Sequence, residues 1–266
     1  MPKHYMMSWL QVYVLTKLRQ TRNGVLWEKK EEVCLDEEKE EHGDQWDHVV
    51  MDAESKAVIS MVIGKRTKEN TEELMRDFAS RVNDGKPPKL FTTDDYPCYK
   101  DALLSVYGKW VVPERTGKRG RPRNPFQTMP DMQYATVKKH RKSGCVVSVE
   151  TEQIYGTQDD LVDILELSLV SNRVNTSFVE RQNGTDRHLN ARKARKTLEF
   201  SKDKIYHVGQ SWLCMTYYNF CWDHRSLRIG TMDMKYIHRS PMMALGVTDH
   251  IWSIESMVSY QVIKDH

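Results

Sequence analysis

Residues 46–63 read WDHVVMDAESKAVISMVI, and this stretch decides the fold class. Residues 46–51 and 57–63 are apolar and rich in β-branched side chains, with a polar break between them. Two such runs around a short turn predict a β-hairpin. Downstream, within 71–83, Leu74, Phe78, Ala79 and Val82 recur at helical spacing. After Pro87 and Pro88, residues 89–93 predict a short strand that runs into Asp94 and Asp95, and 96–107 a second helix stopped by Gly108. Hairpin, helix, strand and helix in this order point to a mixed α/β sheet. Residues 109–130 break the pattern, with Gly117, Gly120, Pro122, Pro125 and Pro130 among basic residues, and predict a loop or insertion. Two more strands are expected at 134–137 and 145–150, joined by a basic turn. Helices are expected over 161–170, from Thr176 or Ser177 to about 196, and over 205–222. The tail, 240–262, carries Met243, Leu245, Ile251, Trp252 and Ile254 in a pattern that packs back on the core.

The chain has 266 residues, with 40 Lys+Arg against 37 Asp+Glu and a net charge of +3. That length suits one large domain or two small ones. Charged residues make up 29% of it, and the longest apolar run, 57–63, is far short of the roughly 20 residues that span a bilayer, which excludes an integral membrane protein. Cys34, Cys98, Cys145, Cys214 and Cys221 form no CxxC pair and are odd in number, against a disulfide scaffold and in favour of a reducing cytosol. Residues 5–15 are mildly apolar without a small-residue cleavage site, so no signal peptide is expected.

The small net charge hides a block pattern. Residues 31–54 hold eleven acids and one base, 109–142 ten bases and two acids, and 181–196 six bases and one acid. An acidic block is ordinarily a solvated face. Two separated basic blocks favour a polyanion, because phosphate neutralisation by Lys and Arg drives nucleic-acid affinity.

Two spots could carry chemistry. Asp94, at the C-terminal end of a strand, sits where α/β folds expose their sites, although Asp94 or Asp95 could equally cap the following helix. Within 175–183, Ser177 and Glu180 have capping-box spacing. Yet Glu180, Asn183 and Arg187 share one helix face, with little bulk at Gly184, an arrangement suited to a metal beside phosphates. His207, Cys214, Cys221 and His224 also share a face. A straight helix spreads them over about 25 Å, too far to ligate one ion, so core packing is expected. Arg119-Gly120-Arg121-Pro122 is like an AT-hook core, but a basic loop without base preference is the stronger reading.

The stretches GDQWDHVVMDAESKAVISMVIGKRT, LFTTDDYPCYKDALLSVYG, GKRGRPR, YATVKKHRKSGCVVSVET, NTSFVERQN, RKTLEFSK, YYNFCWDHRSLR and SPMMALGVTDHIW together resemble the DDE transposases of the insertion-sequence-one family. The resemblance runs from about 29 to 258. It implies a ribonuclease-H-like mixed sheet flanked by helices, over 29–225, with a basic insertion at about 109–145 and a C-terminal helical extension over 226–266. It implies metal-dependent DNA cleavage and strand transfer of an insertion element. Three carboxylates would hold two Mg²⁺ or Mn²⁺ ions that clamp an in-line phosphoryl displacement. On the family's motifs the middle carboxylate is Asp94 and the last Glu180. Arg119, Arg121, Arg123, Lys138, Lys139, Arg181, Asn183, Arg187, Arg192, Arg195 and Lys196 would face DNA. The expected partners are double-stranded element ends and target DNA, within a homodimer or higher synaptic oligomer. The expected location is the cytoplasm, at the nucleoid.

The first carboxylate has two registers. In one, residues 33–37 form a strand that ends at Asp36, which completes the triad. In the other, Lys29-Lys30 matches the family's Lys-Lys pair, and Thr21-Arg22 stands where Asp-Glu belongs, which leaves the site incomplete. The first 25 residues match nothing in the family, and 1–28 read as a truncated or divergent segment that lacks its zinc-binding and helix-turn-helix region. On the second register the protein is a non-catalytic DNA-binding remnant. A ribonuclease-H-like nuclease without a role in transposition is the other alternative.

Overall fold

The computed structural model describes residues 11–16, 45–82, 86–112, 126–128, 132–143, 145–194, 201 and 203–261. In chain order the elements are β1 (Gln11–Thr16), β2 (Trp46–Asp52), β3 (Val58–Gly64), α1 (Lys68–Arg81), β4 (Leu90–Asp94), α2 (Cys98–Tyr107), β5 (Lys109–Val111), β6 (Phe126–Thr128), β7 (Gln133–Lys142) and β8 (Cys145–Tyr155). There follow α3 (Gln158–Glu166), α4 (Ser177–Leu189), α5 (Lys204–Thr216), β9 (Ile229–Gly230), β10 (Tyr236–Ile237), α6 (Pro241–Ala244) and α7 (Ile254–Ser259).

The expected hairpin forms, with Trp46 opposite Gly64, Val49 opposite Met61, and a register shift at Val50/Met51. Its turn is fastened by Asp52, whose Oδ2 accepts from the Ser55 N–H at 2.7 Å and from the Ser55 hydroxyl at 2.5 Å. The main sheet is mixed and six-stranded, in the order β3-β2-β1-β4-β7-β8. β1, β4 and β7 run parallel, while β2 and β8 run antiparallel to their neighbours. Alternation along β2 divides the core between the two faces of the sheet. Val50 joins Leu74, Met75 and Phe78 of α1 and Tyr99, Ala102 and Leu103 of α2. Val49 and Met51 join Met61, Val179 of α4 and Tyr218.

Within the segment that matches nothing in the family, residues 11–16 form the strand between β2 and β4. Three expectations change. The stretch 109–130 is not wholly loop: β5 and β6 pair within it, Lys109 opposite Thr128. The helix from Ser177 ends at Leu189 rather than near 196, because Asn190 turns to φ −113 and ψ 98 and its side chain accepts from the Arg192 N–H. The apolar helix ends at Thr216 and continues as a π-helical turn, Tyr217–Cys221. Part of the tail packs back, with Met242 and Leu245 against the α1–α2 core and Trp252 on Phe220 at 4.5 Å between ring centroids, whereas Ile254 is exposed. Among the described residues no helix is long and apolar enough to cross a membrane.

A buried ionic clasp fixes α4 to β2. Lys193, 1% exposed, bonds Asp47 of β2 at 2.6 Å and Asp186 of α4 at 2.9 Å. Burial alone would lower the Lys193 ammonium, but the two carboxylates outweigh it and hold its pKa above the ordinary value. His207 and Cys214 are buried beside this clasp, as core packing requires, whereas Cys221 and His224 lie past the end of α5 and are only half-buried. His207 shares a hydrogen bond of 3.2 Å with Ser201.

Burial pulls His207 down to about 4, with Lys193 and Arg192 adding to the shift and Asp47 opposing it. The unfolded chain therefore takes up a proton at this position below about 6.5 that the folded chain refuses. Stability from this group is complete above about 6.5 and falls as pH drops through the interval to about 4. The loss is on the order of 2 kcal/mol between about pH 7 and 4.5. In urea melts, His207→Gln is expected to flatten that acid limb. A wild-type and a variant with the same pH dependence would contradict it.

Candidate functional site

Asp94 ends a strand made of the buried run Leu90, Phe91, Thr92 and Thr93. Its side chain is 16% exposed and meets the Arg66 guanidinium at 3.7 Å. Arg66 is itself held between aromatic rings, 4.1 Å from the Tyr96 centroid and 5.1 Å from that of Trp46. The Tyr96 hydroxyl donates to the Arg66 carbonyl at 3.0 Å. Asp94 is no helix cap: α2 starts after Pro97, without a side-chain capping bond. Neighbouring Asp95 engages a different cation, Lys138, at 3.2 Å.

Glu180 lies in the first turn of α4, and the expected capping box does not form. The N-cap residue is Thr176, without a capping hydrogen bond from its side chain. Instead the Glu180 Oε1 accepts from Lys139 Nζ at 2.5 Å and from the Thr176 hydroxyl at 3.3 Å. Lys139 belongs to β7, where Val137 is the register partner of Asp94. One strand spacing across and two residues along put the Asp94 and Lys139 Cα atoms about 8 Å apart. Both sequence-selected acids are thus tied to one end of the sheet, each with a cation beside it.

The strand between β2 and β4 is the place to look for a third acid. β1 reads QVYVLT, none of it acidic. The register Tyr13 to Thr92, continued two residues, sets position 15, a leucine, beside Asp94. Asp36 lies outside the described residues. Asp47, on the next strand over, is taken up by Lys193. Among the described residues no group of three or more His, Cys, Asp or Glu is arranged to hold a metal ion. Asp94 and Glu180 already share their oxygens with Arg66 and Lys139, and a pair of divalent ions would need more hard oxygen donors than these two carboxylates supply.

The expected DNA-facing residues divide. Lys138, Arg141 and Lys142 are exposed along the outer half of β7, and no carboxylate among the described residues lies within 4.0 Å of Arg141 or Lys142. Arg181 is exposed on α4, and Arg187 is half-buried. Asn183 is 6% exposed and packs inward, a correction to its expected place on a DNA-facing surface. Arg192 turns to the Ser201 hydroxyl at 3.4 Å. Arg119, Arg121, Arg123, Arg195 and Lys196 lie outside the described residues. Sequence reasoning missed Arg66, whose only sequence signal is a basic residue just past the end of a strand. It also missed Lys56 and the Lys193 clasp. Compared with protein-family models, with curated proteins and with solved structures, the chain matches none.

Proposed function

We propose that the chain is a transposase-type, ribonuclease-H-like core that holds double-stranded DNA against the sheet end carrying Asp94 and Glu180, and that it now acts there by binding rather than by cutting. The observation that carries this reading is that Asp94 ends β4 beside Arg66 while Glu180 pairs with Lys139 of β7, two residues beyond the register partner of Asp94. A mixed sheet with helices on both faces agrees with it. So does the exposed basic stretch of β7, which offers phosphate partners next to the acids. The non-acidic sequence of β1 is what turns the reading from catalysis to binding. Pairing two element ends needs at least two copies, so a homodimer or larger assembly belongs to the proposal. In this reading Arg66 and Lys139 hold the two carboxylates in place, and an incoming phosphate competes for the same cations.

The test is a pair of assays on the full chain with plasmid and linear DNA. Binding is expected to weaken linearly on a log–log salt plot, with a slope of about −0.9 for each phosphate neutralised. Nicks and strand-transfer products with Mg²⁺ or Mn²⁺ are expected to stay at the level of the buffer control. Metal-dependent nicks that vanish in Asp94→Asn would restore the catalytic transposase and bring back Asp36 as the third ligand. No binding even at low salt would end the DNA reading. Glu180→Gln sharpens the distinction: it frees Lys139 and is expected to tighten DNA binding severalfold, whereas in a working enzyme it would abolish the reaction.

A further inference from the structure

A cavity of about 800 Å³ opens at the β2–β3 turn, at the opposite end of β2 from Trp46 and Arg66. Three cations line it from three parts of the chain: Lys56 in the turn, Arg181 on α4, and Arg239 just before α6. Among the described residues no carboxylate comes within salt-bridge distance of any of them. Elsewhere Arg66, Lys138, Lys139, Lys193 and Arg228 all have acid partners. Asp52 and Glu54 line the cavity too, but neither forms an ion pair with these cations, and three cations against two acids leave a net positive concave site, where low-dielectric walls concentrate the field on an anion.

Lys56 is 8% exposed, donates to the Ala53 carbonyl, and lies 3.7 Å from the Phe178 ring centroid. Burial pulls it down to about 8 against the pull of Asp52 and Glu54, and the nearness of Arg181 adds to the lowering. Burial also lowers His224 on the same wall, where Lys56 and Arg181 both oppose its charge. The acids at hand do not settle this. Asp52 is taken up by Ser55, and Glu54 is exposed at the rim. The rest of the wall is mixed: Phe178, Tyr218 and Leu245 give it an apolar side, and Ser177, Gln182 and Thr185 of α4 a polar one.

We propose that this cavity binds a small organic phosphate, its phosphate on Lys56, Arg181 and Arg239 and its body against Phe178, Tyr218 and Leu245. The volume lies within the range of small-molecule sites, roughly 300–1,000 Å³. The site goes beyond the DNA reading and does not rest on it.

Calorimetry on the full chain tests this with adenosine monophosphate, adenosine, inorganic phosphate and a 5′-phosphorylated oligonucleotide as separate probes. Adenosine monophosphate is expected to bind with a Kd below about 1 mM. Adenosine is expected to bind at least about thirtyfold more weakly, and inorganic phosphate measurably but less tightly than the nucleotide. Arg181→Gln, an exposed change that leaves the core intact, and Arg239→Gln should each weaken the nucleotide about tenfold. Equal binding of adenosine and its monophosphate would overturn the phosphate assignment. No binding of any phosphate probe, or affinities indifferent to both arginine changes, would overturn the site. So would binding confined to a 5′-phosphorylated oligonucleotide, which would make the cavity part of a DNA surface.

Discussion

Lys193→Met is expected to destabilise the protein by about 3–5 kcal/mol, because it strands two inward-facing carboxylates, Asp47 and Asp186, without their shared cation. The desolvation of those acids has then nothing to offset it, and the joint between α4 and the sheet opens. Urea or thermal melts at neutral pH read the effect directly. If the single variant fails to fold, the triple change Lys193→Met, Asp47→Asn and Asp186→Asn decides the matter. Removing all the charges together is expected to recover most of the loss, since an apolar or neutral replacement of a whole buried ion cluster is often close to neutral. A single variant within about 1 kcal/mol of wild type would show that the clasp is not what holds α4 in place.

The second large effect is on DNA. Replacing Lys138, Arg141 and Lys142 together with alanine is expected to weaken duplex binding at least about a hundredfold at about 50 mM salt. It should also flatten the salt slope by up to about 2.7. All three side chains are exposed on β7, so the fold should survive, and the Lys139–Glu180 pair is left intact. A variant that loses affinity while keeping the full salt slope would mean that other residues carry the phosphate contacts. Unchanged affinity would move the interface away from this strand end.

What could be read from the sequence follows from how local each signal is. The β2–β3 hairpin, α1 and β4 were legible because alternation and helical spacing are written within a few residues of each other, and Val49, Val50, Leu74 and Phe78 fall on the expected faces. Asp94 was legible for the same reason, as an acid ending a buried run. β1 was not. Its partners begin at Trp46 and Leu90, and a strand with such distant neighbours leaves only a short apolar stretch to find. Glu180 was found on its helix face, but its link to Lys139 depends on the register of β7 and has no trace in the spacing. Lys193 sat inside a basic block that reads as surface. Composition cannot tell a lysine facing phosphate from one folded inward between two aspartates, and it is the departure of Asn190 from the helix that turns this lysine in.

The position of β1 also bears on how the protein is made. Synthesis delivers this strand before the others, yet it belongs in the middle of the sheet, with β2 on one side and β4 on the other. Until Leu90–Asp94 has left the ribosome, one rim of β1 has no native partner to bond with, and the nascent chain displays an open strand that a neighbouring polypeptide could capture. Expression at low temperature or with chaperones that shield extended segments should therefore raise the soluble yield more than any change to the finished surface.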